Sequence, residues 1–287
     1  MARLAPVLTV LAVIVALWYA AAVWMNRAWV MDQAEREGIS LSLTQVIPAT
    51  LNQERPVLPA PHQVAVELAK STFGMAITSK RSLVYHGWVT LSATLLGFAI
   101  GTGLGILLAV GILYNRAMDL SVMPWAIASQ TIPILAIAPM IIVVLNSIGV
   151  QGLVPKAIIS AYLSFFPVVV GMVKGLRSPE AMQLDLLRTY NATASATFFK
   201  LRLPSSMPYL FASLKVGIAA SLVGAIVGEL PTGAVAGLGA RLLSGSYYGQ
   251  TVQIWAALFA AALVAAGLVA LIGAIERVTL RRMGMAR

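Results

Sequence analysis

Uncharged stretches long enough for a helix to cross a hydrocarbon layer of ~30 Å recur along the chain, separated by short charged segments. The first lies between Arg3 and Arg27, centred on Leu8 to Met25. It exceeds the ~7–15-residue apolar core of a signal peptide, so it reads as a retained span. The second covers about Val89 to Tyr114, and the third about Val122 to Leu145 with interruptions at Pro124, Pro133 and Pro139. A fourth, Ala157 to Val173, is short and ends at Lys174; a fifth follows Pro208 to about Leu230; a sixth runs from Val252 to Ile275. Lipid offers no hydrogen bonds to an exposed backbone, so the expected fold is an all-α integral membrane protein of six transmembrane helices.

Composition supports a bilayer as the solvent. Apolar side chains make up 59% and charged ones 10% of 287 residues, against a usual charged share of ~25% in soluble proteins. The net charge of +10 does not indicate nucleic acid, because the bases are scattered between apolar runs and form no stripe. Absence of cysteine removes thiol catalysis, Cys-based zinc sites and iron–sulfur chemistry, and His62 and His86 form no local metal motif. They read as solvated or interfacial residues, and no metal or cofactor is expected. With six spans both termini share a side with residues 115–121 and 174–208, and that side carries twelve of the 20 bases. The bias toward basic cytoplasmic segments then places both termini in the cytoplasm.

Three regions follow. Residues 1–88 contain the first span and an external loop, with a short helix from Val64 to Met75 in which Val64, Leu68 and Met75 share a face. Residues 89–276 form a core of five spans, and residues 277–287 a basic cytoplasmic tail. Within the core, the cytoplasmic segment 177–207 has a helical pattern from Ser178 to Arg188, where Met182, Leu184, Leu186 and Leu187 supply apolar surface. A second helical stretch from Thr193 to Leu203 is expected to stop at Pro204. An amphipathic knob of this kind, anchored between two spans, calls for a partner protein.

Spacing in this segment resembles the cytoplasmic loop of the permease subunits of bacterial ABC importers, within them the nitrate, sulfonate and taurine type. That loop has a Glu-Ala-Ala start, a glycine after it, then a Leu-Pro pair. Counting back from Leu203 and Pro204 puts the glycine position at Asn191 and the start at Asp185, Leu186 and Leu187. Asparagine is the residue after glycine that best tolerates the left-handed backbone needed at such a helix end. Gly97-Phe98 with Gly101 and Gly105, the run Thr131 to Pro139, Phe166-Pro167 with Gly175-Leu176, and Glu229 followed by Gly237-Leu238-Gly239 are similar to the second, third and fourth spans of the same family and to the stretch after its fifth, over about residues 86–276.

The resemblance implies a permease of the type I importer kind in the bacterial inner membrane. It further implies a cytosolic ABC ATPase, a periplasmic substrate-binding protein and a second permease, either another copy of this chain or a paralogue. The ATPase contact would be Asp185 to Ala192, including Arg188, with Glu180 opening the segment and Leu203-Pro204 closing it. The chain is not expected to be an enzyme, since no Gly-x4-Gly-Lys-Ser/Thr occurs and ATP must bind elsewhere. The cargo would be a small polar solute: nitrate, a sulfonate, taurine or a pyrimidine-like precursor, the run Gly228 to Thr251 leaning toward the last.

The remaining residues have a packing reading beside a functional one. Gly97, Gly101 and Gly105, and likewise Gly224 and Gly228, make small-residue faces that let helices approach closely. Pro133 and Pro139 free backbone carbonyls that lipid tolerates only inside protein or beside water, which makes them pathway candidates with Gln130, Thr131 and Asn146. Lys215 is expected to snorkel to the cytoplasmic surface. Glu229 stands at the far interface as a gate candidate. The alternative class, an ion-coupled secondary transporter, needs ionisable groups deep in several spans, and only Lys215 and Glu229 lie within the limits drawn above.

Overall fold

The computed structural model describes residues 4–231 and 236–285. Among them all regular structure is helical. The elements are α1 (Leu4–Arg36), α2 (Leu43–Leu51), α3 (Pro61–Phe73), α4 (Leu83–Tyr114), α5 (Arg116–Ser129), α6 (Ile134–Ser147), α7 (Leu153–Leu176), α8 (Ala181–Thr189), α9 (Ala194–Thr197), a π turn (Phe198–Arg202), α10 (Leu203–Glu229), α11 (Leu238–Tyr247) and α12 (Thr251–Arg282). By length and apolarity, α1, α4, α7, α12 and the continuous rod Ala194–Glu229 are able to cross a membrane.

The expected third span is two helices and not one. α5 and α6 have 14 residues each and meet at 100°. Each half is about 21 Å long, short of the ~30 Å needed, so the count is six only when the pair is taken as one crossing. Pro133 makes the break: it lacks an N–H for the helical ladder, and it serves as N-cap of α6 in an extended conformation with ψ 120°.

Pro204, expected to end a helix, does not. The helix widens into the π turn, where the Leu203 N–H bonds to the Phe198 carbonyl five residues back. Pro204 then sits in the first turn of α10, where its missing N–H costs least, and the rod, 36 residues in all from Ala194, continues through Pro208 to Glu229. α1 also outruns expectation. No proline or glycine interrupts it after Met25, an Asp32–Arg36 ion pair of 2.8 Å supports its last turn, and Gly38 with φ +71° closes it.

Contacts divide the chain into two compact units, residues 1–87 with 240–261, and residues 88–239 with 262–287. In the first, Asn26 is fully buried in α1 and organises residues 50–58. Its amide nitrogen donates to the Thr50 and Leu58 carbonyls at 3.3 and 2.9 Å, and its oxygen accepts from Val57 N–H at 2.8 Å and Leu58 N–H at 3.2 Å. Trp18 stacks on Phe259, lies tilted against Trp255 and donates its indole N–H to the Pro59 carbonyl. The residues 26–88 read as a polar loop thus contain α2 as well as α3, which ends at Phe73, short of Met75. His86 is buried, its ring nitrogen 2.9 Å from the Lys80 carbonyl, which excludes the solvated one of its two expected readings, solvated or interfacial; His62 lies 3.2 Å from the Tyr19 hydroxyl.

In the second unit α7 is the central helix, and small residues bring its neighbours close. A methyl on Gly97 would fall 2.6 Å from the Ala157 carbonyl oxygen, one on Gly101 2.9 Å from that of Ala161, and one on Gly105 2.8 Å from Val168 Cβ. Gly224 of α10 approaches α7 from another side, its Cβ position 2.7 Å from Ser160 Cα, and Gly228 lies over Lys156 and Ile159. Lipid supplies no hydrophobic drive between helices, so close packing and buried hydrogen bonds must hold them. Ser160 Oγ donates to the Ser221 carbonyl at 2.6 Å, and Ser221 Oγ to the Thr94 carbonyl at 2.8 Å, tying α7, α10 and α4 at one level.

Candidate functional site

Between α7 and α10 lies the short helix α8, none of whose residues is buried. The Glu180 N–H donates to the Gln183 side chain at 3.2 Å and opens α8. At its far end Asn191 has φ +50°, the only non-glycine with positive φ among the described residues. The Asn191 N–H reaches the Arg188 carbonyl and the Ala192 N–H the Leu187 carbonyl, both at 2.9 Å. This is a Schellman closure built on asparagine in place of glycine.

Between these ends, Met182, Leu186 and Tyr190 are 75%, 57% and 77% exposed. Four-residue spacing puts the three on one helix face, an apolar stripe that water does not favour. Asp185 and Arg188 pair at 2.9 Å on the flank, and Leu187 is half-buried. Tyr190 was not singled out from the sequence, although its i+4 relation to Leu186 was there to be read. The root of the segment is held tightly. Arg202 donates to the Leu176 carbonyl at 2.8 Å, Arg177 pairs with Asp119 at 2.9 Å, and Thr193 caps α9 by accepting from Ala196 N–H at 3.1 Å. Leu203 and Pro204 stand in the first turn of α10, where the rod leaves this root.

Gln130, Thr131 and Pro133 come together at the α5–α6 break, Gln130 half-buried and the other two exposed. Pro139 lies inside α6, and Asn146 near its end, about 20 Å beyond Pro133. Glu229 stands apart from them. It is 0% exposed, and its carboxylate accepts from the Thr90 hydroxyl at 2.9 Å and from the Gly239 N–H at 2.7 Å, with Lys156 Nζ at 4.0 Å. Thr90 in turn accepts from the Leu238 N–H at 2.8 Å. Gly237, with φ +126°, lies against the carboxylate where any Cβ would overlap it. The Glu229…Gly237-Leu238-Gly239 pattern is therefore one folded knot between α4, α7 and α10. Lys215, expected to snorkel to the cytoplasmic surface, pairs with Glu276 of α12.

Several helices long and apolar enough to cross a membrane, with an exposed amphipathic helix between two of them, are the features of a membrane component that docks a partner subunit. A family model described as the binding-protein-dependent transport system inner membrane component matches residues 101–285, and the chain belongs to that family. It is 28% identical over 221 residues to a probable ABC transporter permease protein of Haemophilus influenzae, covering 77% of this chain and 85% of that one. It is 31% identical over 186 residues to the formylaminopyrimidine transport permease protein ThiX of Halalkalibacterium halodurans, covering 64% and 68% of the two chains. To the riboflavin transport system permease protein RibX of Chloroflexus aurantiacus it is 31% identical over 225 residues, covering 78% and 80%. The protein is thus a multi-pass inner-membrane permease subunit of an ABC importer, a transport component in a family that works with binding-protein and ATPase partners.

Proposed function

We propose that α8 is the contact for a cytosolic ABC ATPase, and that two permease subunits, here two copies of this chain, enclose a pathway for a small nitrogen-heterocyclic solute. The observation that carries the first part is the exposed stripe Met182, Leu186 and Tyr190 on a helix held at both ends by membrane-crossing elements. Such a stripe, with Asp185 and Arg188 beside it, fits an apolar groove with a polar rim. A lever anchored in α7 and α10 transmits nucleotide-driven closure of the partner to both helices. Taking α5 and α6 as one crossing puts both termini and α8 on one side, the more basic one, which favours the cytoplasm.

The heterocyclic cargo rests on the two 31%-identical relatives named for formylaminopyrimidine and riboflavin. A separate periplasmic binding protein delivers it, and the ATPase is a separate chain. Gln130, Thr131 and Pro133 at the helix break, with Pro139 and Asn146 on α6, line the route, while Glu229 holds its outer mouth in shape. The test is reconstitution in liposomes with ATPase and binding-protein partners. Binding protein loaded with a pyrimidine or a flavin should raise ATP hydrolysis, and replacing Asp185, Leu186 and Leu187 by polar residues should abolish the rise while insertion persists. Stimulation that survives this replacement rules out α8 as the contact.

A further inference from the structure

The ATPase segment is tied at its root to a helix outside the lever. Arg177, the C-cap of α7, pairs at 2.9 Å with Asp119 in the first turn of α5. Each charge also suits its own helix end, an anion at an N-terminus and a cation at a C-terminus. At the other end of α5 the Tyr162 hydroxyl of α7 donates to the Ser129 carbonyl. The two fastenings are ten residues apart on α5, about 15 Å. Between them Ala126 is buried in one apolar cluster with Phe165, Val169, Met172 and Val173 of α7 and Ala109 and Ile112 of α4, and Val122 and Met123 pack against that cluster. α5 is therefore fastened to α7 near both of its ends.

The helix break follows immediately after the second fastening. Beyond it Ala138 and Ile142 of α6 are buried with Ile159, toward the opposite end of α7, while Leu135, Met140, Val143 and Val144 are exposed. A displacement of α7's Arg177 end therefore reaches α5 first, and residues 130–133 join α5 to a helix packed on the other end of α7. We propose that Asp119 is a positioning residue for energy coupling: its ion pair with Arg177 locks α5 to the root of the ATPase-binding segment and delivers that segment's motion to the break at Gln130–Pro133. The proposal rests on the permease reading above and names a residue that reading does not use.

The chain has no native cysteine, so labels can be placed at will. Leu120→Cys and Leu135→Cys, at positions 67% and 62% exposed, put one spin label on each side of the break. Their distance distribution is recorded by pulsed electron resonance in the intact complex with the ATPase, without nucleotide and after trapping with ATP and vanadate. In the doubly labelled parent, trapping should redistribute the distances. Asp119→Asn or Arg177→Gln should reduce that redistribution about fivefold. The double variant should do no more than either single one, and Asp119→Glu should keep most of the response. A full response in both neutral variants, or additive effects of the two, overturns the proposal and leaves the permease reading standing. No response in the labelled parent overturns both.

Discussion

Replacing Gly224 by alanine tests whether the seam between α7 and α10 is as tight as the structure makes it. The new methyl carbon would sit 2.7 Å from Ser160 Cα and 3.0 Å from the Ile159 carbonyl oxygen, both backbone atoms that no rotamer change can move aside. Ordinary carbon contacts are ~3.5–4.0 Å, so the helices must separate by about 1 Å. Overpacking of this kind costs about 1–3 kcal/mol. Separation also strains the 2.6 Å bond from Ser160 Oγ to the Ser221 carbonyl. Gly103 on α4 is the internal control, because a Cβ there meets nothing within 4 Å. Both substitutions gain the same helix propensity, up to ~1 kcal/mol, so the difference between them isolates the steric cost. At ~2–4 °C per kcal/mol, Gly224→Ala should melt about 5 °C below Gly103→Ala in detergent, measured by fluorescence-detected size exclusion after heating. Equal melting of the two variants would refute the close approach.

Other substitutions address the remaining features. Glu229→Ala removes the carboxylate that faces the largely buried Lys156 and accepts from the Thr90 hydroxyl and the Gly239 N–H, so a loss of ~3–5 kcal/mol is expected, seen as a lowered melting point and reduced yield in membranes. Asn191→Gly should preserve ATPase stimulation, because glycine accepts the observed φ of +50° freely. Asn191→Val should cost ~1–2 kcal/mol at the loop and weaken stimulation severalfold in the same ATPase assay. Leu186→Glu places a charge in the centre of the exposed stripe and should reduce ATPase co-purification at least tenfold, on the scale of a ~2 kcal/mol hot spot.

Much of this architecture was legible in the chain because the relevant forces are local. A run of apolar residues announces a span by its own length, as for α4 and α12, and the helical segment after Ser178 shows in its own leucine spacing. Features that depend on distant partners were not legible. Thr90 and Glu229 are 139 residues apart in sequence, and nothing local to either announces the other. Asn26 read as the first residue of a polar loop, whereas its amide is the hub that folds residues 50–58. Prolines were legible unevenly. Pro204 looked like a stop, but a π turn and a first-turn position absorb its missing N–H. Pro133 was read as an interruption of one span, and the helices on either side of it meet at 100°. Its flanking helices answer to tertiary contacts with α7, which the 3.6-residue pattern does not encode.

The account turns on α8 facing the cytosol against a nucleotide-driven subunit. A single cysteine at Leu186, in a chain that otherwise has none, reads this directly. In sealed cells it should resist a membrane-impermeant maleimide added from outside, and after inversion of the membrane it should crosslink to the ATPase with a yield that changes between ATP-free and ATP-bound states. Labelling from the periplasmic side in intact cells, or a cysteine that crosslinks to no ATPase in either state, would contradict the assignment.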